Sequence, residues 1–123
     1  MTDRTLNQCR ILVVEDEYLL AAELCHELAE ASAVILGPVG SLAGAIDLIH
    51  AEERIDGAVL DINLRGEMVF PAADLLTQRD VPMLFTTGYD PSIIPPRFAH
   101  VVCCGKPADL DLITSIMGRL IHD

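Results

Sequence analysis

The chain has 123 residues, of which 51% are hydrophobic, so it can bury a sizeable core, and we expect one domain over residues 1–123. Its net charge of −11 argues against direct binding of nucleic acid, because contacts to phosphate require clustered Lys and Arg. No apolar run approaches the roughly 18 residues of a membrane span, and no signal-peptide stretch precedes the first apolar run. We therefore expect a cytoplasmic protein that does not bind a membrane.

Five short apolar runs alternate with helical patterns along the chain. The runs cover residues 11–14, 33–36, 58–60, 83–85 and 101–104. Apolar residues at helical spacing lie between and after them, at Leu20, Leu24 and Leu28, at Ala45, Ile46 and Ile49, at Ala72, Leu75 and Leu76, and at Ile113, Met117 and Leu120. The second run should be buried and should end at Gly37-Pro38. Ser41 is a candidate N-cap for the second helix, and Pro71 is expected at the first position of the third.

This alternation, with short connections, predicts an α/β fold with right-handed crossovers. We expect a doubly wound, five-stranded parallel sheet. The connection between the fourth and fifth strands is irregular, because Pro91, Pro95 and Pro96 oppose a regular helix there. The fourth helix should therefore be shortened or missing.

Polar side chains follow four of the apolar runs, at the point where each predicted strand ends. The first run leads to Glu15 and Asp16, and the third ends at Asp61. The fourth delivers Thr87, and the fifth leads to Lys106. Because the carboxyl ends of parallel strands meet at one edge of a sheet, these groups should lie close together.

Three carboxylates at one edge would repel one another, and a divalent cation would resolve the conflict. Carboxylate oxygens are the hard ligands that Mg²⁺ prefers. We expect Asp16 and Asp61 to be direct Mg²⁺ ligands and Glu15 to be a closer or water-mediated partner. A backbone carbonyl near Asn63 could complete the protein's share of the coordination.

The same groups favour phosphoryl transfer to an aspartate. With the cation bound, Asp61 can act as an oxygen nucleophile and form an aspartyl-phosphate. Lys106 would add a second positive charge, and Thr87 would donate a hydrogen bond to a phosphoryl oxygen. All of this is positioning and electrostatics, so the forward step needs no general base.

Four motifs together identify a family. They are Ile-Leu-Val-Val-Glu-Asp-Glu at 11–17, Leu-Asp-Ile-Asn-Leu at 60–64, Phe-Thr-Thr-Gly-Tyr at 85–89 and Gly-Lys-Pro at 105–107. Over nearly its full length the chain resembles the receiver domains of two-component response regulators. The motif at 85–89 is similar to the Phe-Ala-Thr-Gly-Tyr type that marks an alphaproteobacterial subclass, with Thr86 in place of the usual alanine.

The resemblance implies a flavodoxin-like fold, with the five parallel strands in the order 2-1-3-4-5. It implies that Asp61 is the phosphoacceptor and that Glu15 and Asp16 bind Mg²⁺. It implies further that Thr87 is the switch hydroxyl and Lys106 the lysine at the strand end. Such a receiver is a signalling protein, not an enzyme with a separate substrate, and catalyses only its own phosphorylation and dephosphorylation.

The resemblance also implies partners. Receivers take phosphate from a phosphohistidine on a sensor histidine kinase or a histidine phosphotransfer protein, in a two-component system or a phosphorelay. A stand-alone receiver must signal through a downstream protein partner, as a monomer or as a phosphorylation-dependent dimer.

The chain departs from the receiver pattern at one position. Most receivers carry Tyr or Phe three positions before the lysine, as a switch side chain coupled to the threonine, and here that position is Cys103. Tyr89 could report the phosphorylated state instead, and ordinary packing of Tyr89 is the alternative. Asn63 and Tyr89 should also border the path of water to the acyl-phosphate and modulate the dephosphorylation rate.

Two other functions are open to such a chain. A pseudo-receiver would keep the fold as an interaction module without phosphorylation, although the intact acids, Thr87 and Lys106 argue against it. A flavodoxin-like cofactor binder is the other. No glycine-rich or Ser/Thr-rich phosphate loop follows the first strand, and the acids at 15–17 would repel a flavin phosphate.

Overall fold

The computed structural model describes residues 5–88 and 91–122, which form a five-stranded parallel sheet flanked by four helices. The strands are β1 (Arg10–Val14), β2 (Val34–Val39), β3 (Gly57–Asp61), β4 (Asn63–Leu64), β5 (Glu67–Met68), β6 (Met83–Thr87) and β7 (Val102–Gly105). The helices are α1 (Tyr18–Glu30), α2 (Leu42–Ala51), α3 (Phe70–Gln78) and α4 (Leu110–His122). No helix within the described ranges is long and apolar enough to cross a membrane.

The sheet has the order β2-β1-β3-β6-β7, and β4 and β5 form a separate two-stranded hairpin. Counted without the hairpin, the order is 2-1-3-4-5, so the predicted flavodoxin-like fold is confirmed. Every neighbouring pair in the sheet is parallel. The carboxyl ends of β1, β3, β6 and β7 therefore lie along one edge, which positions the residues that follow them.

Alternating side chains of the central strands build two cores, one on each face of the sheet. Leu60 and Phe85 pack on the face covered by α2 and α3. Val59 and Leu84 pack on the face covered by α1 and α4. Because both faces are covered, all five residues of β3 are buried, which explains why this strand reads as a continuous apolar run.

Strand β2 corrects one sequence prediction, because it continues through Gly37-Pro38 to Val39. Gly37 has a φ of 98°, and the pairing of β1 with β2 is irregular here before it resumes at Val14 and Val39. β2 lies at the edge of the sheet, where a proline removes no ladder hydrogen bond that the sheet requires. The same position leaves Val34 44% exposed, so the strand is not buried as predicted.

The described part of the connection from β6 to β7 contains two short 3₁₀ turns, Pro91–Ile93 and Pro96–Phe98. The predicted shortening of the fourth helix is thereby confirmed. The second turn is anchored by Phe98. The centroid of its ring lies 5.6 Å from the ring centroid of Phe70 and 5.7 Å from that of Phe85. Arg97 donates hydrogen bonds of 2.9 and 3.0 Å to the carboxylate of Asp74 on α3.

Helix starts agree with the sequence in one case and differ in another. The Ser41 hydroxyl accepts a 3.0 Å hydrogen bond from the Gly44 N–H, so the predicted N-cap is confirmed. Helix α3 begins at Phe70, one residue before the predicted position, so Pro71 is the second residue of the helix. Proline is tolerated there as well, because the first N–H groups of a helix have no partner within it.

Candidate functional site

Three carboxylates converge at the carboxyl edge of the sheet. Glu15 and Asp16 follow β1, and Asp61 is the last residue of β3, the strand beside it. One oxygen of each lies within 4.8 Å of the others. Glu15 and Asp61 are buried, with 5% and 4% of their surface exposed, and Asp16 is half-buried. Such a set of hard oxygen donors fits a divalent cation of the Mg²⁺ type.

Lys106 joins two of these carboxylates. Its Nζ atom donates a 2.9 Å hydrogen bond to Asp61 Oδ2 and lies 3.2 Å from Glu15 Oε1. Burial alone would lower the pKa of Lys106, but Asp61 and then Glu15 raise it above the ordinary lysine value. The position of Lys106 follows from the sheet, since its backbone N–H donates to the Thr87 carbonyl at 2.9 Å.

The protonation of Glu15 reflects the crowding of negative charge. Burial raises the pKa of Glu15, the N–H of Glu17 opposes this through a 3.0 Å hydrogen bond to Oε2, and the neighbouring Asp61 raises it further. The resulting pKa is about 7, although Lys106 also acts to lower it. The Glu15 carboxyl is thus only partly ionised near neutral pH in the metal-free protein. This behaviour supports the fit of the three acids to a divalent cation.

Asn63 is held between Asp61 and the tip of the β4–β5 hairpin. Its backbone N–H donates a 3.2 Å hydrogen bond to Asp61 Oδ1. Its side-chain Oδ1 accepts a 2.7 Å hydrogen bond from the Gly66 N–H. Both Asp61 oxygens therefore have donors, one from Asn63 and one from Lys106. Coordination of a metal by the Asn63 carbonyl stays a prediction.

Thr87 and Cys103 lie on the neighbouring strands. Thr87 is buried at the end of β6, where the register places it beside Gly105 and so one residue from Lys106. Cys103 pairs with Phe85 in the register and packs, half-buried, against the core beneath α2 and α3. Burial raises the pKa of the Cys103 thiol. Tyr89 lies outside the described residues, so its predicted role is not addressed by the geometry.

Arg65 is a further neighbour of the acids, one that is not among the site residues predicted from the sequence. Its Nε atom lies 3.8 Å from Asp16 Oδ2. The useful signal in the sequence is the pair Arg65-Gly66 four residues beyond Asp61, where a tight turn can bring a cationic side chain back toward the acids. A prediction of that turn would have required recognising β4 and β5, which are only two residues long each.

The acids lie in an open cleft of about 530 Å³. It is lined by Asp16, Glu17, Asp61, Asn63, Arg65, Gly66, Gly88 and Lys106. A larger cavity of about 640 Å³ lies at the opposite edge of the sheet, beside the residues that precede β3, β6 and β7. Open α/β sheets bind ligands at the carboxyl ends of their strands, so the smaller cleft is the candidate site.

Comparison with solved structures finds close likenesses. The chain is 35% identical to SdrG from Sphingomonas melonis, over 92% of this chain and 96% of SdrG, with a TM-score of 0.79. It is 33% identical to the BeF3-activated conformation of SdrG from Pseudomonas melonis, over 98% of this chain and 100% of that one, with a TM-score of 0.72. No protein-family model and no curated protein matches the chain.

A response regulator receiver protein from Sinorhizobium medicae has the same fold, with a TM-score of 0.81 over 95% of this chain and 97% of that one, at 21% identity. The identity with SdrG extends over nearly the whole of both chains, and the sheet order and helices are those of receivers. The chain therefore belongs to the receiver domains of response regulators, as the four motifs predicted.

Proposed function

We propose that this chain is a phosphorylatable receiver, which accepts a phosphoryl group from a phosphohistidine onto Asp61 in a Mg²⁺-dependent reaction and signals through protein contacts. One observation carries the proposal. Lys106 contacts both Asp61 and Glu15 at the carboxyl edge of the sheet, and an oxygen of Asp16 lies within 4.8 Å of an oxygen of each of these two acids. Three carboxylates this close repel one another, so the cluster favours a bound cation over a role in ion pairing alone.

The acids and the lysine have complementary tasks in this reaction. Asp16 and Asp61 would hold Mg²⁺, with Glu15 close by, and the cation neutralises charge on the transferring group when it is bound. Asp61 attacks phosphorus through a carboxylate oxygen, and the P–N bond to the donor imidazole breaks. The electron pair of that bond returns to the ring nitrogen. Lys106 and Thr87 would stabilise the phosphoryl oxygens.

Dephosphorylation reverses the charge change at Asp61, since water attacks the acyl-phosphate and releases inorganic phosphate. Asn63 and Tyr89 would flank the path of that water. The donor would be a sensor histidine kinase or a histidine phosphotransfer protein, and the output a downstream protein partner. Cys103 has no aromatic ring, so a group at another position must change its conformation or contacts when Asp61 is phosphorylated.

A direct test uses beryllofluoride, a phosphoryl mimic, and a phosphorylated histidine donor, each with and without Mg²⁺. NMR spectra and intact mass should show an adduct that requires Mg²⁺ and disappears in Asp61→Asn. Asp47→Asn is the matched control, because Asp47 is exposed on α2 and does not line the cleft of the acids. Absence of an adduct under every donor would favour the pseudo-receiver instead.

A further inference from the structure

Arg65 has a backbone conformation that arginine rarely adopts. The hairpin register pairs Leu64 with Glu67, so Arg65 and Gly66 form a two-residue turn. Both have positive φ angles, 54° at Arg65 and 93° at Gly66. Hairpin turns with two positive φ angles favour Asn, Asp or Gly, since other side chains clash with the backbone in the left-handed region.

The turn is tied to the strand that precedes it, and its arginine lies beside Asp16. Leu64 is buried, and the Gly66 N–H donates to the Asn63 side chain at 2.7 Å. The Arg65 side chain is 82% exposed, yet its Nε lies 3.8 Å from Asp16 Oδ2. Lys106 contacts Glu15 and Asp61, so each of the three carboxylates has a cationic side chain beside it. The position of Arg65 beside Asp16, the one acid of the three for which no contact with Lys106 is found, is the observation that points to a role for its side chain.

We propose that Arg65 is a positioning residue that competes with the divalent cation for Asp16. In the metal-free protein, its guanidinium group offsets the charge of Asp16 and keeps this carboxylate in place beside the other two. A cation that binds Asp16 must displace the guanidinium group, so the affinity for Mg²⁺ is lower than the acids alone would produce. This inference rests on the proposed function, because it requires the acids to bind Mg²⁺.

Calorimetric titration with Mg²⁺ tests the competition. Arg65→Asn removes the charge and suits the turn, so its melting temperature should equal or exceed that of the wild type. It should bind Mg²⁺ about two- to five-fold more tightly, which is the range for an exposed ion pair. Arg65→Lys should restore an affinity near that of the wild type. Arg119→Gln, an exposed change of the same charge on α4, should have no effect.

An NMR titration separates pairing from a general effect of charge. The Nε–Hε resonance of Arg65 should shift on addition of Mg²⁺, with a midpoint equal to the calorimetric Kd. If the wild type binds Mg²⁺ and Arg65→Asn binds it no more tightly, the competition is refuted while the proposed function stands. A resonance that does not move refutes the pairing with Asp16. A wild type that binds no Mg²⁺ overturns both proposals.

Discussion

Lys106 and Asp61 are 45 positions apart in the chain, yet the Lys106 ammonium group donates a 2.9 Å hydrogen bond to the Asp61 carboxylate. The same group lies 3.2 Å from Glu15, so one side chain connects the ends of β1, β3 and β7. In the proposed reaction the charge of Asp61 changes when it is phosphorylated. The environment of the Lys106 ammonium group should therefore respond directly to that change of charge.

Lys106 is the only lysine in the sequence, so a lysine-selective NMR spectrum should contain one side-chain signal. Its pKa is raised by Asp61 and Glu15, which outweigh the lowering effect of burial. Asp61→Asn removes one of these two anionic partners, so we expect the Lys106 pKa to fall in this variant. Asp47→Asn should leave it unchanged. An identical Lys106 titration in the wild type and Asp61→Asn would contradict the contact.

Stability of the metal-free protein should fall as the pH rises from about 4.5 to about 7. Glu15 has a pKa of about 7 in the folded state against an ordinary value of 4.5. In this window the folded state keeps a proton that the unfolded state has released, so unfolding becomes easier as the pH rises. The loss is about 3–4 kcal/mol at most, since one pKa unit corresponds to about 1.4 kcal/mol and the two values differ by about 2.5 units. Urea unfolding with a chelator at several pH values measures it.

Glu15→Gln should flatten this pH dependence, because the glutamine side chain does not titrate. Saturating Mg²⁺ should also reduce it in the wild type, since a bound cation favours the ionised carboxylate. Glu53→Gln, an exposed change of the same kind, should retain the wild-type slope. If the Glu15→Gln and wild-type slopes coincide, Glu15 does not carry the raised pKa.

Asn63→Ala should change the rate of Asp61 dephosphorylation more than the affinity for Mg²⁺. Loss of the side chain removes the bond to the Gly66 N–H and opens the path of water to Asp61. We expect dephosphorylation to accelerate on the order of three-fold, equivalent to about 0.7 kcal/mol in the barrier. Loss of phosphate is followed by intact mass, with the exposed Asn7→Ala as control. Equal lifetimes of the phosphorylated wild type and Asn63→Ala would remove this role.

Phe98→Ala should lower the free energy of unfolding by about 3–5 kcal/mol, the usual cost of removing a buried aromatic ring. Phe98 is 2% exposed and contacts the rings of Phe70 and Phe85 from a connection that has only short 3₁₀ turns. Ile93→Ala, at a 41% exposed position in the same connection, should cost far less. Similar costs for the two variants in urea unfolding would show that Phe98 does not anchor this segment.

The sequence predicted the fold well where the physical signal was local. Strands buried on both faces read as continuous apolar runs, as in β3, and a hydroxyl at a helix start reads as a cap, as in Ser41. The prediction failed at Gly37-Pro38, because a glycine followed by a proline is typical of the end of a strand. An edge position in the sheet overrides that signal, because an edge strand can tolerate a missing donor, and whether a strand lies at an edge is not a local property.

The sequence by itself determined which groups are available for chemistry, and their order at the strand ends: Glu15, Asp16, Asp61, Thr87 and Lys106. Parallel pairing then requires those ends to share an edge, so their convergence followed from topology. Only the tertiary structure decided the pairwise contacts, with Lys106 between Glu15 and Asp61, Asn63 holding the hairpin, and Arg65 beside Asp16. These contacts depend on distances of a few ångströms between side chains, and those distances depend on register, rotamers and a two-residue turn.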